Sequence, residues 1–333
     1  MSRVAVVILN WNGEKLLKEY LPSVVKYTNP ELGKVIVVDN ASEDASIEWV
    51  LHEYPELDVV RFYSNYGFAG GYNKAIELVD FEIIVLLNSD VEVTEGWLEP
   101  LVELLDRDPE IAAVQPKIKA WKNKDTFEYA GACGGFIDHL GFPFCRGRIL
   151  DVVEKDVGQY DQEMEVFWCS GAALCIRREE YFKAGGLDER FFAHMEEIDL
   201  CWRIRNSGKS LKVCPKSVVY HLGGGSLPMN HPRKLFLNYR NNLLMLYKNL
   251  PKTVWRKVRW QRYILDGLSM LFFLLKGEMA NVRSVVRAYR DFQVMKQAYQ
   301  PSNTPRKDGC IYTGSIIFQY YLKGVRRFSD FWK

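Results

Sequence analysis

The stretch "EIIVLLNSDVEVTEGW", residues 82–97, runs through five apolar residues and then stops on Asn88, Ser89 and Asp90. An unbroken apolar run of this length reads as a strand buried on both faces. Three earlier runs have the same character: "VAVVILN" (4–10), "KVIVVDN" (34–40) and "LDVVRFY" (57–63). Between them lie "GEKLLKEYLPSVVKYT", "SEDASIEWVLHEY" and "GFAGGYNKAIELV", with apolar residues at helical spacing and Ser42, Asp44 and Ala45 marking a helix start. Strands alternating with helices predict a parallel sheet covered on both sides, with ligands bound beyond the C-terminal strand ends. Asn10 and Asn12, Asp39 and Asn40, and Asn88 to Asp90 then share one sheet edge. Each alone reads as a turn residue; together they read as a site.

Bulk properties bound the function. The chain has 333 residues, 48% hydrophobic and 26% charged, enough for one large domain with an appendage or for two domains. The N-terminus enters "VAVVILN" directly, too short a run for a secretory leader, and Asp266 and Gly267 interrupt the longest apolar stretch, "YILDGLSMLFFLLKG". Seven cysteines without a C-x-x-C pair argue against a zinc or disulfide framework and for a reducing, cytoplasmic setting. The net charge of +2 hides a split: residues 233–333 carry 20 Lys and Arg against 5 Asp and Glu, whereas residues 1–232 carry 24 against 37. A basic module of this kind seeks an anionic partner.

The first strand-to-helix turn, "NWNGEK", has one glycine, so the G-x-G-x-x-G dinucleotide fingerprint is absent, as is a P-loop lysine motif. Asp39 nonetheless closes the second strand, where an acid can bind ribose hydroxyls. The combination predicts a nucleotide whose phosphates are met by a divalent cation on a carboxylate rather than by a glycine loop.

The segments "VVILNWNG", "VIVVDNAS", "NYGFAGGYNKAI", "LLNSDVEV", "CSGAALCIRREEYFKAGGLDERFFAHMEEIDLCWRIRNSG" and "VYHLGGGS" occur in that order. Over residues 3–248 the chain resembles family 2 glycosyltransferases of the GT-A fold, bacterial rhamnosyltransferases in particular. The resemblance implies an α/β, Rossmann-like mixed and mostly parallel sheet with flanking helices. A catalytic domain over residues 1–232 would divide into a nucleotide-sugar part (about 1–110) and an acceptor part (111–232). In such a site Asp39, with Asn10, Asn12 and Asn40, contacts the base and ribose, and Gly67 and Phe68 form a loop against the nucleotide. Asn88-Ser89-Asp90 stands where the family has its D-x-D motif, with Asp90 as main ligand of Mg²⁺ or Mn²⁺ and His221 completing the shell. A histidine capping a loop is the alternative for His221.

The acids Glu196, Glu197 and Asp199 match the catalytic cluster, with Glu197 as the base, and Arg203 lies among cleft-forming residues. Two plainer readings stand beside these. Asp199 and Arg203, four apart, can pair as scaffold, and the acids can be a solvated helix start. Trp168, Ser170 and Gly171, with Asp138, His139 and Arg146, are candidates for the acceptor side.

Past Pro232 the chain reads as helical and basic, and only "YRNNLLMLYKNL" extends the resemblance. "PKTVWRKVRWQRY" (251–263) mixes tryptophans with basic residues, as anionic membrane surfaces select, and the following "ILDGLSMLFFLL" is about long enough for an interfacial segment, not a span. A lid or a homodimer interface is the alternative use of this region, and no nucleic-acid-binding motif appears. The expected partners are thus a dTDP- or UDP-sugar donor, a glycan or lipid-linked glycan acceptor and the inner face of the cytoplasmic membrane. A nucleotidyltransferase would need a glycine-rich, basic loop after the first strand, which "NWNGEK" is not. A membrane-docked scaffold without activity predicts no metal-dependent nucleotide binding.

Overall fold

The structure, a computed structural model, describes residues 2–223, 231–302 and 309–332. The four apolar runs are strands β1 (Val4–Asn10), β2 (Gly33–Asp39), β3 (Asp58–Arg61) and β4 (Ile83–Asn88). The intervening helices are α1 (Glu14–Tyr27), α2 (Ser46–Glu53) and α3 (Gly67–Leu78). Then follow β5 (Val91–Val93), α4 (Glu99–Arg107), β6 (Ile111–Ala120), the short strands β7 (Gly135–Asp138), β8 (Pro143–Cys145), β9 (Arg148–Ile149), β10 (Val152–Val153) and β11 (Met164–Glu165), then β12 (Ala173–Arg177). Helices α5 (Arg178–Lys183) and α6 (Glu196–Asn206) precede β13 (Ser210–His221). The C-terminal part holds α7 (Pro232–Asn249), α8 (Lys252–Leu275), α9 (Met279–Met295), β14 (Ile311–Tyr312) and α10 (Ile316–Lys323).

The main sheet has the order β11-β13-β6-β12-β4-β1-β2-β3, with β5 also paired to β13. Strands β4, β1, β2 and β3 are parallel, and β12 enters antiparallel between β4 and β6. Period-two alternation explains why these strands are apolar throughout. Val4, Val6 and Ile8 join one core layer with α1 and α4, while Ala5 and Val7 join the other with α3 and α6. Gly71 lets α3 lie against β1, since a Cβ there would come within 2.8 Å of the Leu9 side chain.

The C-terminal part is woven into the rest. β14 pairs with β7 in a second, five-stranded sheet, and Leu243 to Leu246 of α7 share a core with Leu200 and Trp202 of α6. All seven cysteines are free and buried. No helix among the described residues is long and apolar enough to cross a membrane.

Candidate functional site

Parallel pairing brings the polar strand ends together: Asn10 is opposite Asp39, and Leu9 is opposite Asn88. The Asn10 Nδ2 donates to Ser42 Oγ (3.1 Å) and Ser46 Oγ (2.9 Å), while its Oδ1 is buried without a hydrogen-bond partner among the described residues. Asn12, with a left-handed φ of 50°, accepts from the Glu43 amide at 2.8 Å. Asp39 is buried, accepts from the Ser42 amide at 3.1 Å, and lies 3.9 Å from Arg61 Nε. Ser42 thus ties β1 to the loop after β2 instead of capping α2. Asp44 takes that task, accepting from the first amides of both α2 (Ser46, 3.2 Å) and α1 (Glu14, 3.0 Å).

Asn40 departs from the expected nucleotide contact. Its Nδ2 donates to Asn65 Oδ1 (2.9 Å) and the Gly67 carbonyl (3.0 Å), and its Oδ1 accepts from the Tyr66 amide (2.9 Å). Asn40 therefore shapes the loop that presents Gly67 and Phe68.

Pairing of β13 with β5 sets His221 opposite Val91 and so beside Asp90. His221 Nε2 and Asp90 Oδ1 are 3.1 Å apart, and the other ring nitrogen faces Glu128 Oε1 at 3.6 Å. All three side chains are buried. Burial opposes charge on Asp90, but the His221 charge and hydrogen bond hold its carboxyl below the usual range. Burial also opposes charge on His221, yet Glu128 and Asp90 on its two sides push the imidazole pKa up to about 10. A carboxylate oxygen and an imidazole nitrogen 3.1 Å apart would fit two ligands of a cation such as Mn²⁺, which would have to displace the ring proton, with diphosphate and water supplying the rest. Among the described residues no group of three His, Cys, Asp or Glu side chains surrounds one metal position. Glu128 gave no signal in the sequence, being a lone acid 93 residues before His221. Gly224, Gly225 and Ser226 of the "HLGGGS" motif lie outside the described residues.

The acids of α6 reach the same edge from another direction. A Cβ added at Gly171 would sit 3.6 Å from Glu197 Cβ and 3.5 Å from Phe68 Cζ. The adjoining Ala172 carbonyl accepts from the Asn88 amide at 3.0 Å. Glu197 and Phe68 thus flank the backbone beside the end of β4. Glu197 is partly buried, and its Oε2 has no hydrogen-bond partner among the described residues. Loss of water raises its pKa, against backbone amides that pull it down. Glu196 is pushed well above the usual range by burial and then by Glu197 and Asp199. Two adjacent carboxyls with raised pKa are a recognisable acid–base arrangement.

The turn before α6 is strained. Phe192, His194 and Met195 have φ of 68°, 70° and 74°, and such backbone costs on the order of 1–3 kcal/mol per residue. Buried Asn241 on α7 holds this turn, sharing its Nδ2 hydrogens among the carbonyls of Phe191 (2.9 Å), Ala193 (2.8 Å) and His194 (2.8 Å). Asn241 falls in the "YRNNLLMLYKNL" match, where a shared pattern pointed to it without a role.

Asp199 and Arg203 stand apart from this group. Asp199 is fully buried and accepts from Arg203 Nε (2.9 Å), Lys248 Nζ (2.8 Å) and Asn249 Nδ2 (2.8 Å). With three of its roughly four acceptor sites engaged, two of them by cations, it fastens α6 to α7 and is poorly suited to act as a base. Arg203 also donates to the Gly186 carbonyl (2.7 Å) and to that of Ala184, which engages its guanidinium within the fold. The scaffold alternative holds for both. Asp199→Ala should lower stability by about 3–5 kcal/mol, because it leaves Lys248 and Arg203 partly buried and underpaired. Urea unfolding would register this as a lower midpoint at unchanged slope.

Several acceptor-side expectations also resolve into scaffold. Trp168 Nε1 donates to the Phe136 carbonyl (2.9 Å), Asp138 accepts from the amides of Leu140, Phe142 and Ile316, and Arg146 donates to the Gln162 carbonyl.

Residues 5–143 match the family model described as Glycosyl transferase family 2. The N-acetylglucosaminyl-diphospho-decaprenol L-rhamnosyltransferase of Mycobacterium tuberculosis is 25% identical over 260 residues, 72% of this chain and 83% of that protein. Two solved structures share the fold at lower identity. GalNAc-T7 with UDP, GalNAc and Mn²⁺ superposes with a TM-score of 0.57 at 20% identity, over 74% of this chain and 48% of that one. S. aureus TarS 1-349 with UDP-GlcNAc gives 0.57 at 15%, over 88% and 80%. The chain therefore carries a family 2 glycosyltransferase domain on a GT-A fold and is similar to bacterial rhamnosyltransferases.

Proposed function

We propose that the protein is an inverting, divalent-metal-dependent glycosyltransferase that moves a sugar from a nucleotide-diphospho-sugar to a lipid-linked glycan. The observation that carries this reading is the position of Glu197, a carboxyl with a free oxygen, beside the strand end that bears Asn88 to Asp90. Rhamnose as the sugar, a dTDP or UDP carrier and a polyprenyl-diphosphate acceptor rest on likeness to the mycobacterial rhamnosyltransferase and to the UDP-bound neighbours. Catalysis falls to residues 1–232 in this reading, with residues 233–333 serving the acceptor and the inner face of the cytoplasmic membrane.

Asp39 and Asn10 hold the nucleoside end, and Gly67 and Phe68 close over it. Asp90 and His221 would hold the cation, Mg²⁺ or Mn²⁺, which when bound would offset the charge of the departing diphosphate. Glu197 takes the acceptor hydroxyl's proton as that oxygen attacks the anomeric carbon from the face opposite the diphosphate. Burial and the neighbouring Glu197 and Asp199 disfavour charge on Glu196, so Glu197 serves as the base in this reading. Glu128 orients the His221 ring from behind, an arrangement that tunes metal ligands elsewhere. Glu128→Gln should weaken Mn²⁺ binding by about 10–100-fold, measured by electron paramagnetic resonance of free Mn²⁺.

Calorimetric titration with UDP and dTDP, with and without Mn²⁺, tests the reading. Binding of neither under any condition would sink it. Release of nucleoside diphosphate from a panel of nucleotide sugars, with a membrane extract as acceptor, identifies the donor. A nucleotidyltransferase is disfavoured because the turn after β1 offers Asn10, Asn12 and Gly13, with no basic side chain before Lys15.

A further inference from the structure

Helix α8 is amphipathic the wrong way round for a helix in water. Its inward face carries Trp255 and Val258, followed by an ion pair of Arg262 with Asp266 at 3.3 Å. That pair is fully enclosed: Arg262 also donates to the Leu140 carbonyl (3.2 Å) and to Asn242, and Tyr289 donates to Asp266. The outward face carries Trp260, Ile264, Leu268, Leu271 and Leu275, each at least half exposed. Their spacing of 4, 4, 3 and 4 puts all five on one stripe, and exposed Phe272 and Leu274 widen it. A contiguous apolar face of this kind marks an interaction surface.

The charges around the stripe select its occupant. Lys252, Arg256 and Lys257 precede it, Lys276 follows it, and Arg283, Arg287 and Arg290 are exposed on α9, which packs against α8. The one acid on α8 is the enclosed Asp266. Two copies of this face would bring like charges together, whereas anionic headgroups would neutralise them. Trp260 sits where the basic turn gives way to the apolar one, the level an indole prefers at a bilayer interface. From Trp260 to Leu275 the helix runs about 24 Å, short of the roughly 30 Å hydrocarbon core.

We infer that α8 lies in the plane of an anionic bilayer, with the stripe from Trp260 to Leu275 immersed and the flanking Lys and Arg on the headgroups. Of the segment read from the sequence, Trp255 and Val258 drop out because they are buried in the fold, and the contact narrows to the outward face from Trp260 on. The ion pair inside α8 gives the helix a fixed inner face, so the stripe is already displayed before the membrane is met.

The test uses the full chain and sedimentation with vesicles of phosphatidylglycerol and phosphatidylcholine, against phosphatidylcholine alone. The wild type should sediment with the anionic vesicles and be partly released by salt. The variant Leu268→Glu/Leu271→Glu/Leu275→Glu should bind them more than about a hundredfold more weakly while keeping its nucleotide affinity, which controls for folding. Glu197→Gln should sediment as the wild type does, so loss of catalysis and loss of docking are read separately. Equal sedimentation of the triple variant and wild type would overturn the inference, as would a wild type indifferent to both vesicles. A wild-type dimer in light scattering that the triple variant converts to monomer would assign the face to a second copy instead.

Discussion

Glu197→Gln is expected to lower the rate of sugar transfer by about 10²–10⁴-fold, the usual contribution of a positioned general base, while nucleotide affinity stays unchanged. Glutamine keeps the shape of the side chain beside Gly171 and Phe68 but cannot take a proton. Steady-state release of nucleoside diphosphate in the presence of acceptor measures the loss, and calorimetry with UDP or dTDP measures binding. If affinity falls in parallel with rate, Glu197 is holding the nucleotide or the fold, and the assignment fails. The wild-type pH profile is a second readout. A base must be ionised, so activity is lost as pH falls through the pKa of Glu197. Burial raises that pKa, which places the acid limb above the ordinary glutamate value of about 4.3. Glu197→Gln should lose this limb along with its rate.

Asp90→Ala is expected to abolish the gain in nucleotide affinity that Mn²⁺ confers and to lower transfer by more than about 10³-fold, in line with the several kcal/mol a metal contributes to stabilising a leaving group. The variant also leaves His221 facing Glu128 alone. Direct Mn²⁺ titration of the protein separates a lost ligand from a lost fold, with circular dichroism as control. Asn88→Ala should be milder, since the Asn88 backbone remains anchored to Ala172 by the 3.0 Å hydrogen bond. Equal losses in the two variants would argue against Asp90 as the main ligand.

The parts of this site differ in how visible they are along the chain. Asn10, Asp39 and Asp90 each end an apolar run, and parallel strands put successive C-terminal ends on one edge. Glu197 was visible as one of three acids, and helical spacing sets it apart from Asp199, but the partners of Asp199 were not visible. Residues two apart on a helix point to different sides, and the partners that engage Asp199 (Lys248 and Asn249) arrive from α7. The neighbours that Asn40 and Arg203 engage were hidden for a related reason. A polar side chain near a strand end or cleft has the same letter whether it meets a ligand or a neighbouring carbonyl.

By itself the sequence determined the α/β architecture, the sheet edge proposed to bind and most residues standing on it, because the periods of strands and helices are local properties. Glu128 behind His221, Asn241 on the strained turn and the choice of which face of α8 points outward were decided by the tertiary structure alone. Each depends on what an element meets from elsewhere in the chain, and on which of a helix's two faces the rest of the chain covers.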